Sequence, residues 1–288
     1  MSRRPSTESS DEPPSESPAE SSSVFDVTLV DGVCRLARPD TSFCSTGFDG
    51  GTRVADAAFN VTVPEGWDDE GDRDLAAYVA DRVDRAGFDS APDAPALLTG
   101  VDQTHARRAR LDPVEVVATA GVSNPAALPV EPVDSLAETP TSTSTSTSTS
   151  TSSTLSEPAD DHPPAGTVNL LVGTTRACSP GALANLVAVA AEAKAATLLE
   201  LAGVPGTTSD AIVVGSDPEG EPAAFSGSAT AVGAATRACV RDAVAASLAS
   251  RYGPETDATL PDSVSDAKYG VVTDERARVS RVGRFGVE

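Results

Sequence analysis

Two short apolar runs stand on either side of a long polar stretch, and this arrangement constrains the chain more than any other feature. The runs are Val114-Glu-Val-Val-Ala-Thr-Ala-Gly121 and Gly166-Thr-Val-Asn-Leu-Leu-Val-Gly173. Both are rich in β-branched residues and end in glycine, so both read as strands. Between them, Glu131 to Ala165 alternates Thr and Ser from Thr139 to Ser153, flanked by proline and acid. Alternating Thr imitates a strand, but this stretch has no apolar face to bury, so it is expected to be solvated and disordered. The entropy of closing a loop rises only logarithmically with its length, so such an excursion costs little. The two strands are therefore expected as sheet neighbours within one domain, not as the borders of two.

The remaining elements follow from local signals. Val24 to Leu36 and Val54 to Val63 alternate as strands, with Phe48-Asp-Gly-Gly51 as a turn. Arg73 to Ala86 has apolar residues at helical spacing. Ser179-Pro-Gly opens a long alanine-rich helix, Ser as N-cap and Pro180 at its first position, which stops at Gly203. Asp210 to Gly215 reads as a short buried strand, and Ala229 to Tyr252 as a second alanine-rich helix. Residues 1–23 are Ser, Glu and Pro rich and are expected to form a disordered tail. Beyond Gly253, residues 254–288 form an extension in which Tyr269-Gly-Val-Val-Thr273 makes one short strand or simply trails. The expected fold is α+β: mixed sheet packed by two long helices and a shorter one, with a layered αββα arrangement of N-terminal-nucleophile type as the alternative. Its single domain covers 24–253, interrupted at 131–165.

Charge bears on partners. The chain carries 43 acidic and 21 basic side chains in 288 residues, a formal net charge of −22. Phosphate and anionic lipid would be repelled, which argues against nucleic acid and membrane partners. The acid is spread over distant stretches such as Trp67 to Asp72, Asp160-Asp161 and Asp217 to Glu221, as expected of a protein adapted to a salt-rich cytoplasm. No run reaches the roughly 18 consecutive apolar residues of a membrane helix, and the N-terminus lacks a secretory pattern. Cys34, Cys44, Cys178 and Cys239 share no metal-binding or redox spacing, and two histidines, His105 and His162, are too few and scattered for a histidine-rich metal site.

The chain has only two lysines, Lys194 and Lys268. Lys194 sits in the alanine-rich helix, whose other polar members include Asn185, Glu192, Thr197 and Glu200. Asn185 and Glu192 share a face at 100° per residue, whereas Lys194 lies about 200° round from Glu192. Lysine can lose its proton when desolvated and arginine cannot, so Lys194 is either a snorkelling or ion-paired residue or a titratable member of a site. Small polar side chains also gather at strand ends, in Thr119-Ala-Gly-Val-Ser-Asn124, Gly206-Thr-Thr-Ser-Asp210 and Phe225 to Gly233. They form turns and caps or, taken together, one composite pocket.

Seven motifs in order give the chain a family resemblance. They are Ser45-Thr-Gly-Phe-Asp-Gly-Gly51, Leu98-Thr-Gly-Val-Asp102, Ala118-Thr-Ala-Gly-Val-Ser-Asn-Pro125, Gly166-Thr-Val-Asn-Leu-Leu171, Ala191-Glu-Ala-Lys-Ala-Ala196, Thr208-Ser-Asp-Ala211 and Phe225-Ser-Gly-Ser-Ala-Thr-Ala-Val-Gly233. Together they resemble the adenosylcobinamide amidohydrolase family. The resemblance implies hydrolysis of the amide joining the aminopropanol arm to the corrin ring and a small-molecule corrinoid partner; the residues themselves mark no cofactor or metal site, and whether a metal is required is left open. Such chemistry needs a nucleophile, oxyanion stabilisation and a proton for the departing amine. On that reading Lys194 or Glu192 is the acid/base and Asp210 orients it. Asn124 and Asn169 donate to the oxyanion, and Ser123 or Thr119 attacks, or water does so directly. Gly50, Gly51 and Asn185 join the substrate contacts. Two alternatives stand beside this: a non-catalytic corrinoid binder, and a self-processing amidohydrolase that cleaves before an internal Ser or Thr.

Overall fold

The computed structural model describes residues 25–64, 67, 74–89, 93–130, 166–256, 258–261, 263–267 and 270–277. The expectations for residues 1–23, for Glu131 to Ala165 and for His162 lie outside the described residues. The domain is built on one mixed sheet of strands β1 (Asp26–Val30), β2 (Val33–Ser45), β3 (Gly51–Thr62), β4 (Ala96–Thr99), β5 (Arg107–Leu111), β6 (Val114–Ala120), β8 (Val168–Cys178) and β10 (Ala211–Ala223). Their order is β4-β3-β2-β10-β8-β6-β5, with β1 added along the first half of β2. A second, small sheet joins β7 (Pro125–Ala127), β9 (Gly206–Thr207) and β11 (Val271–Val272) in the order β11-β7-β9. Three helices complete the fold: α1 (Leu75–Arg85), α2 (Pro180–Ala202) and α3 (Ala231–Tyr252).

The two strands that bracket the Thr-Ser stretch are neighbours: β6 and β8 pair antiparallel from Val114↔Thr174 to Ala120↔Val168. β8 pairs parallel with β10, so the ends of β6, β8 and β10 lie side by side. Three strand readings need correction. The run Val24 to Leu36 is not one strand but a hairpin, β1 turning into β2 at Asp31-Gly32, both with positive φ (47° and 73°). The Asp-Gly pair is a standard signal for such a turn, hidden because apolar alternation continues across it. β10 does not stop at Gly215. It slips register between Ser216 and Glu221 and resumes against β8, so Asp217-Pro-Glu-Gly bulges out of the pairing. β4 and β5 were not foreseen. β4 is four residues long, and β5 (Arg-Arg-Ala-Arg-Leu) hides its strand character under charge that Glu115 of β6 neutralises, at 2.7 Å to Arg108 and 3.3 Å to Arg110.

Alternation along each strand sorts residues into layers. Val116, Ala118, Leu170, Val172, Ile212 and Val214 pack against α2 and α3. Their sequence neighbours Val117, Leu171 and Val213 face the other way and pack with Leu36, Phe43, Ala58 and Leu97. The far face of β3, through Ala57, Phe59 and Val61, packs on Val83 of α1 and on Ala86, which caps it. The sheet therefore curls over itself, giving layers in the order helices, sheet, sheet, helix. Where the two sheet layers meet, Gly173 lies under the Phe25 ring and Gly215 under Phe43; a Cβ would come within 2.5 Å and 2.6 Å of those rings.

The helices end where their capping residues stand. Ser179 Oγ accepts from Ala182 N–H, Pro180 starts α2, and Gly203 (φ +67°) closes it in the left-handed region. Asp74 and Thr230 cap α1 and α3 in the same way. α2 has the length and hydropathy of a membrane span, which the count of consecutive apolar residues overlooked, yet half of its most apolar window is buried against the domain. It is buried on one side only, with Leu199 and Leu201 exposed.

Candidate active site

Of the three stretches of small polar residues, Thr119–Asn124 and Gly206–Asp210 meet at the shared end of β6, β8 and β10, whereas Phe225–Gly233 does not: its Ser226 bonds Asn185 and Ala182 at the opposite end of α2. Asp210 precedes β10, and its carboxylate accepts four hydrogen bonds. Val168 N donates at 2.8 Å, Thr207 N at 3.0 Å and the Thr207 hydroxyl at 2.5 Å, and Lys194 Nζ forms an ion pair with it. Both charged side chains are nearly enclosed, 9% exposed for Lys194 and 11% for Asp210. Gly206 leaves room for the pair, since a Cβ there would lie 2.8 Å from Asp210 Oδ2 and 3.2 Å from Lys194 Nζ. A lysine this deep in an apolar helix face is tolerable only with such a counter-charge.

A neutral network adjoins it between the sheet layers. Asn169 Nδ2 donates to Asn60 Oδ1 and to Leu98 O, both at 2.9 Å, and Asn169 Oδ1 accepts from Ala211 N at 3.2 Å. Asn60 Nδ2 donates to Thr119 Oγ1 at 2.9 Å, and Gln103 Nε2 donates to Asn60 O at 3.1 Å. Asn60, Gln103, Thr119 and Asn169 are all buried. Consecutive residues tie the network to the ion pair: Val168 and Asn169 on β8, Asp210 and Ala211 at the start of β10.

The loop after β6 connects the surroundings. Gly121 N donates to Thr167 O, Ser123 packs on Gly166, and Asn124 O accepts from Thr208 N. Asn124 Oδ1 is buried and has no hydrogen-bond partner among the described residues. Thr167 and Ser209 share a hydroxyl–hydroxyl bond of 2.8 Å. On the other flank Val122 N donates to Tyr252 OH at 2.9 Å. His105 Nδ1 lies 3.1 Å from Ser250 Oγ, and burial, reinforced by the Arg251 charge, pushes the imidazole below its ordinary pKa. Among the described residues, no three His, Cys, Asp or Glu side chains come together as metal ligands do.

Of the residues singled out from sequence, Lys194, Asp210, Ser123, Asn124, Thr119 and Asn169 gather here. Gly50 lies in the turn after β2 and Gly51 opens β3; this turn reaches the same end because Thr46 and Ile212 bond through main chain and hydroxyl (2.9 Å). Gly51 (φ +116°) needs glycine's freedom. Glu192 is not brought in. It is exposed, faces Arg237 of α3 at 3.6 Å and points away from Asp210, as the 200° offset from Lys194 requires. Asn185 is also elsewhere, bonded to Ser226 Oγ at 3.0 Å, nine residues and so roughly 13 Å along the helix from Lys194. Thr119 is enclosed, its hydroxyl occupied by Asn60. Sequence reasoning did not single out Asn60, Gln103, Thr167 or Thr207. Thr167 and Thr207 stood within quoted motifs, whereas Asn60 and Gln103 carried no local signal. Concavities lie off this centre: a crevice of 310 Å³ between α1 and Phe48, a groove of 660 Å³ between α2 and α3, and one of 580 Å³ beside Asn185 and Phe225–Thr230.

Comparison with known proteins adds two findings. Residues 19–256 match the family model described as CbiZ, adenosylcobinamide amidohydrolase. A protein of Halobacterium salinarum named adenosylcobinamide amidohydrolase is 54% identical over 258 residues, covering 90% of this chain and 100% of the relative.

Proposed function

The chain belongs to the adenosylcobinamide amidohydrolase family, and from that premise we propose that the Lys194–Asp210 centre hydrolyses the amide between the aminopropanol arm and the corrin ring of adenosylcobinamide. The products are adenosylcobyric acid and aminopropanol, a step of corrinoid salvage. The observation that carries the assignment of the centre is the enclosed lysine–carboxylate pair at the one place where three strand ends, the Gly121 loop and four of the seven motifs converge.

The chemistry follows from the groups present. Amide hydrolysis stalls unless the departing nitrogen receives a proton. Lys194, held in one position by Asp210, is the group placed to give it. Asp210 is in turn fixed by Val168 N–H, Thr207 N–H and the Thr207 hydroxyl, so the ammonium is oriented by rigid main chain rather than by a mobile side chain. Asn124 Oδ1, a buried acceptor without a partner among the described residues, suits the N–H of the scissile amide. Asn169 sets the strand end through Asn60, Leu98 and Ala211, and acts as a positioning residue. Glu192 and Asn185 take no part in this centre. The corrin ring is too large for this enclosed centre, so it rests on the surface while its arm enters. The acidic, lysine-poor surface supports a protein that works at high salt inside the cell.

Incubating the protein with adenosylcobinamide across a range of KCl concentrations tests the reading. Aminopropanol is released if it holds. Binding of the corrinoid without release, at every salt concentration, favours the non-catalytic alternative.

A further inference from the structure

We infer that the chain cuts its own backbone between Gly166 and Thr167, and that the freed Thr167 is the nucleophile of the centre described above. This rests on the proposed amidohydrolase reading for its second half only; the self-cleavage is an activity in its own right.

Thr167 is placed as a nucleophile and held as one. It is 2% exposed and stands immediately before β8. Every anchor that fixes it lies on its own side of the peptide bond to Gly166. Its carbonyl accepts from Gly121 N at 3.1 Å, its hydroxyl bonds Ser209 Oγ at 2.8 Å, and the next residue's N–H is held by Asp210 at 2.8 Å. Cutting the bond before Thr167 therefore leaves the threonine where it is. Gly166 is pressed on the Ser123 backbone: a Cβ would fall 2.2 Å from Ser123 N. The acyl partner thus carries no side chain and is held in place by that packing.

Among the described residues the uncut chain offers the Thr167 hydroxyl no strong base, which a single slow self-cleavage tolerates and repeated turnover does not. Lys194 is committed to Asp210, Thr167 Oγ1 has a hydroxyl as its partner, and His105 is turned to Ser250. Cleavage supplies the missing group. Thr167 Oγ attacks the Gly166 carbonyl carbon; the new C–O bond forms as the C–N bond breaks, and the hydroxyl proton passes to the Thr167 nitrogen. Water then hydrolyses the ester, giving a Gly166 carboxylate and a Thr167 with free hydroxyl and free α-amine. An α-amine titrates near pH 8, about two units below a lysine side chain, and so can accept the hydroxyl proton at neutral pH. The same oxygen then attacks the substrate amide carbonyl, the C–N bond breaks as Lys194, beside Asp210, protonates the departing amine, and water hydrolyses the resulting corrinoid ester, freeing the acid and the Thr167 hydroxyl and returning a proton to Lys194. Ser123, the nucleophile favoured from sequence, sits on the acyl side of the cut. The helix–sheet–sheet–helix layering, with the nucleophile at a strand start between layers, suits this arrangement.

Intact mass spectrometry and N-terminal sequencing of the full-length purified protein test the proposal, alongside aminopropanol release. Wild type is expected as two polypeptides, one beginning at Thr167, and active. Thr167→Ala is expected as one uncut chain with activity reduced at least a thousandfold. Thr167→Ser, which keeps the hydroxyl and controls for folding, is expected to cut and turn over. Wild type that is a single chain and hydrolyses adenosylcobinamide overturns self-cleavage and leaves the proposed function standing. Two chains without corrinoid turnover sustain the cleavage and overturn the function. Thr167→Ala that folds and keeps wild-type activity overturns the nucleophile.

Discussion

Replacing Lys194 by Met removes the ammonium while keeping the length and bulk of the side chain, so it isolates the charge. In the folded protein it strands Asp210 at 11% exposure with three hydrogen bonds but no counter-charge. Breaking one partner out of a buried pair costs about 3–5 kcal/mol. For a domain of this size each kcal/mol lowers Tm by about 2–4 °C, so a loss of roughly 6–20 °C is expected. Asp210→Asn should destabilise too, by leaving Lys194 unpaired. The double variant, with no buried charge, should be more stable than the sum of the two losses implies, by at least about 1 kcal/mol. Thermal and urea unfolding followed by circular dichroism, at one fixed KCl concentration, read all four proteins. Strict additivity, or a Lys194→Met loss below about 1 kcal/mol, would refute the claim that the pair is enclosed and mutually dependent. Lys194→Arg is expected to retain more stability than Lys194→Met yet lose turnover, because guanidinium does not give up a proton.

Further outcomes follow from other contacts. Asn169→Leu leaves Asn60 Oδ1, Leu98 O and Ala211 N without their partner; a loss of about 2–4 kcal/mol by urea unfolding is expected. Gly173→Ala and Gly215→Ala drive a methyl into Phe25 and Phe43, each costing about 1–3 kcal/mol by the same measurement. His105 is held below its ordinary pKa by burial and then by Arg251. The unfolded chain therefore binds the proton first, and its contribution to stability is lost as pH falls through about 6.5 towards the lower folded value. Proton NMR titration should place the His105 midpoint below 6.5, and Arg251→Gln should raise it. Burial pushes the Cys34 thiol up to about 12 and Cys239 to about 11, so iodoacetamide should label the half-buried Cys44 and Cys178 well before these two, as peptide mapping will show.

What the sequence revealed divides along the range of the interactions. The bounds of α2 were legible because Ser179, Pro180 and Gly203 are local signals that act within one turn of the chain. The β6–β8 pairing was legible because two apolar runs flanked a stretch with nothing to bury. The Asp31-Gly32 hairpin was written locally but masked by apolar alternation across it. β5 was illegible, since three arginines in five residues read as surface until Glu115 is placed beside them. The site divides in the same way. Lys194 stood out by rarity in an apolar helix, and Asp210 by its place in a turn before a strand. Asn60 and Gln103 carry no such mark: Asn60 bonds residues 59 and 109 positions away, and only the curl of the sheet brings those together. Glu192 failed as a candidate by its helical angle, which the sequence already contained.

Single-turnover mass spectrometry of adenosylcobinamide in ¹⁸O-enriched water tests the central claim most directly, run with wild type and with folded Lys194→Met. Wild type is expected to yield adenosylcobyric acid with one ¹⁸O in its new carboxylate, together with aminopropanol, and Lys194→Met neither above background. Equal product from the two proteins, or none from wild type, would contradict amide hydrolysis at the Lys194–Asp210 centre.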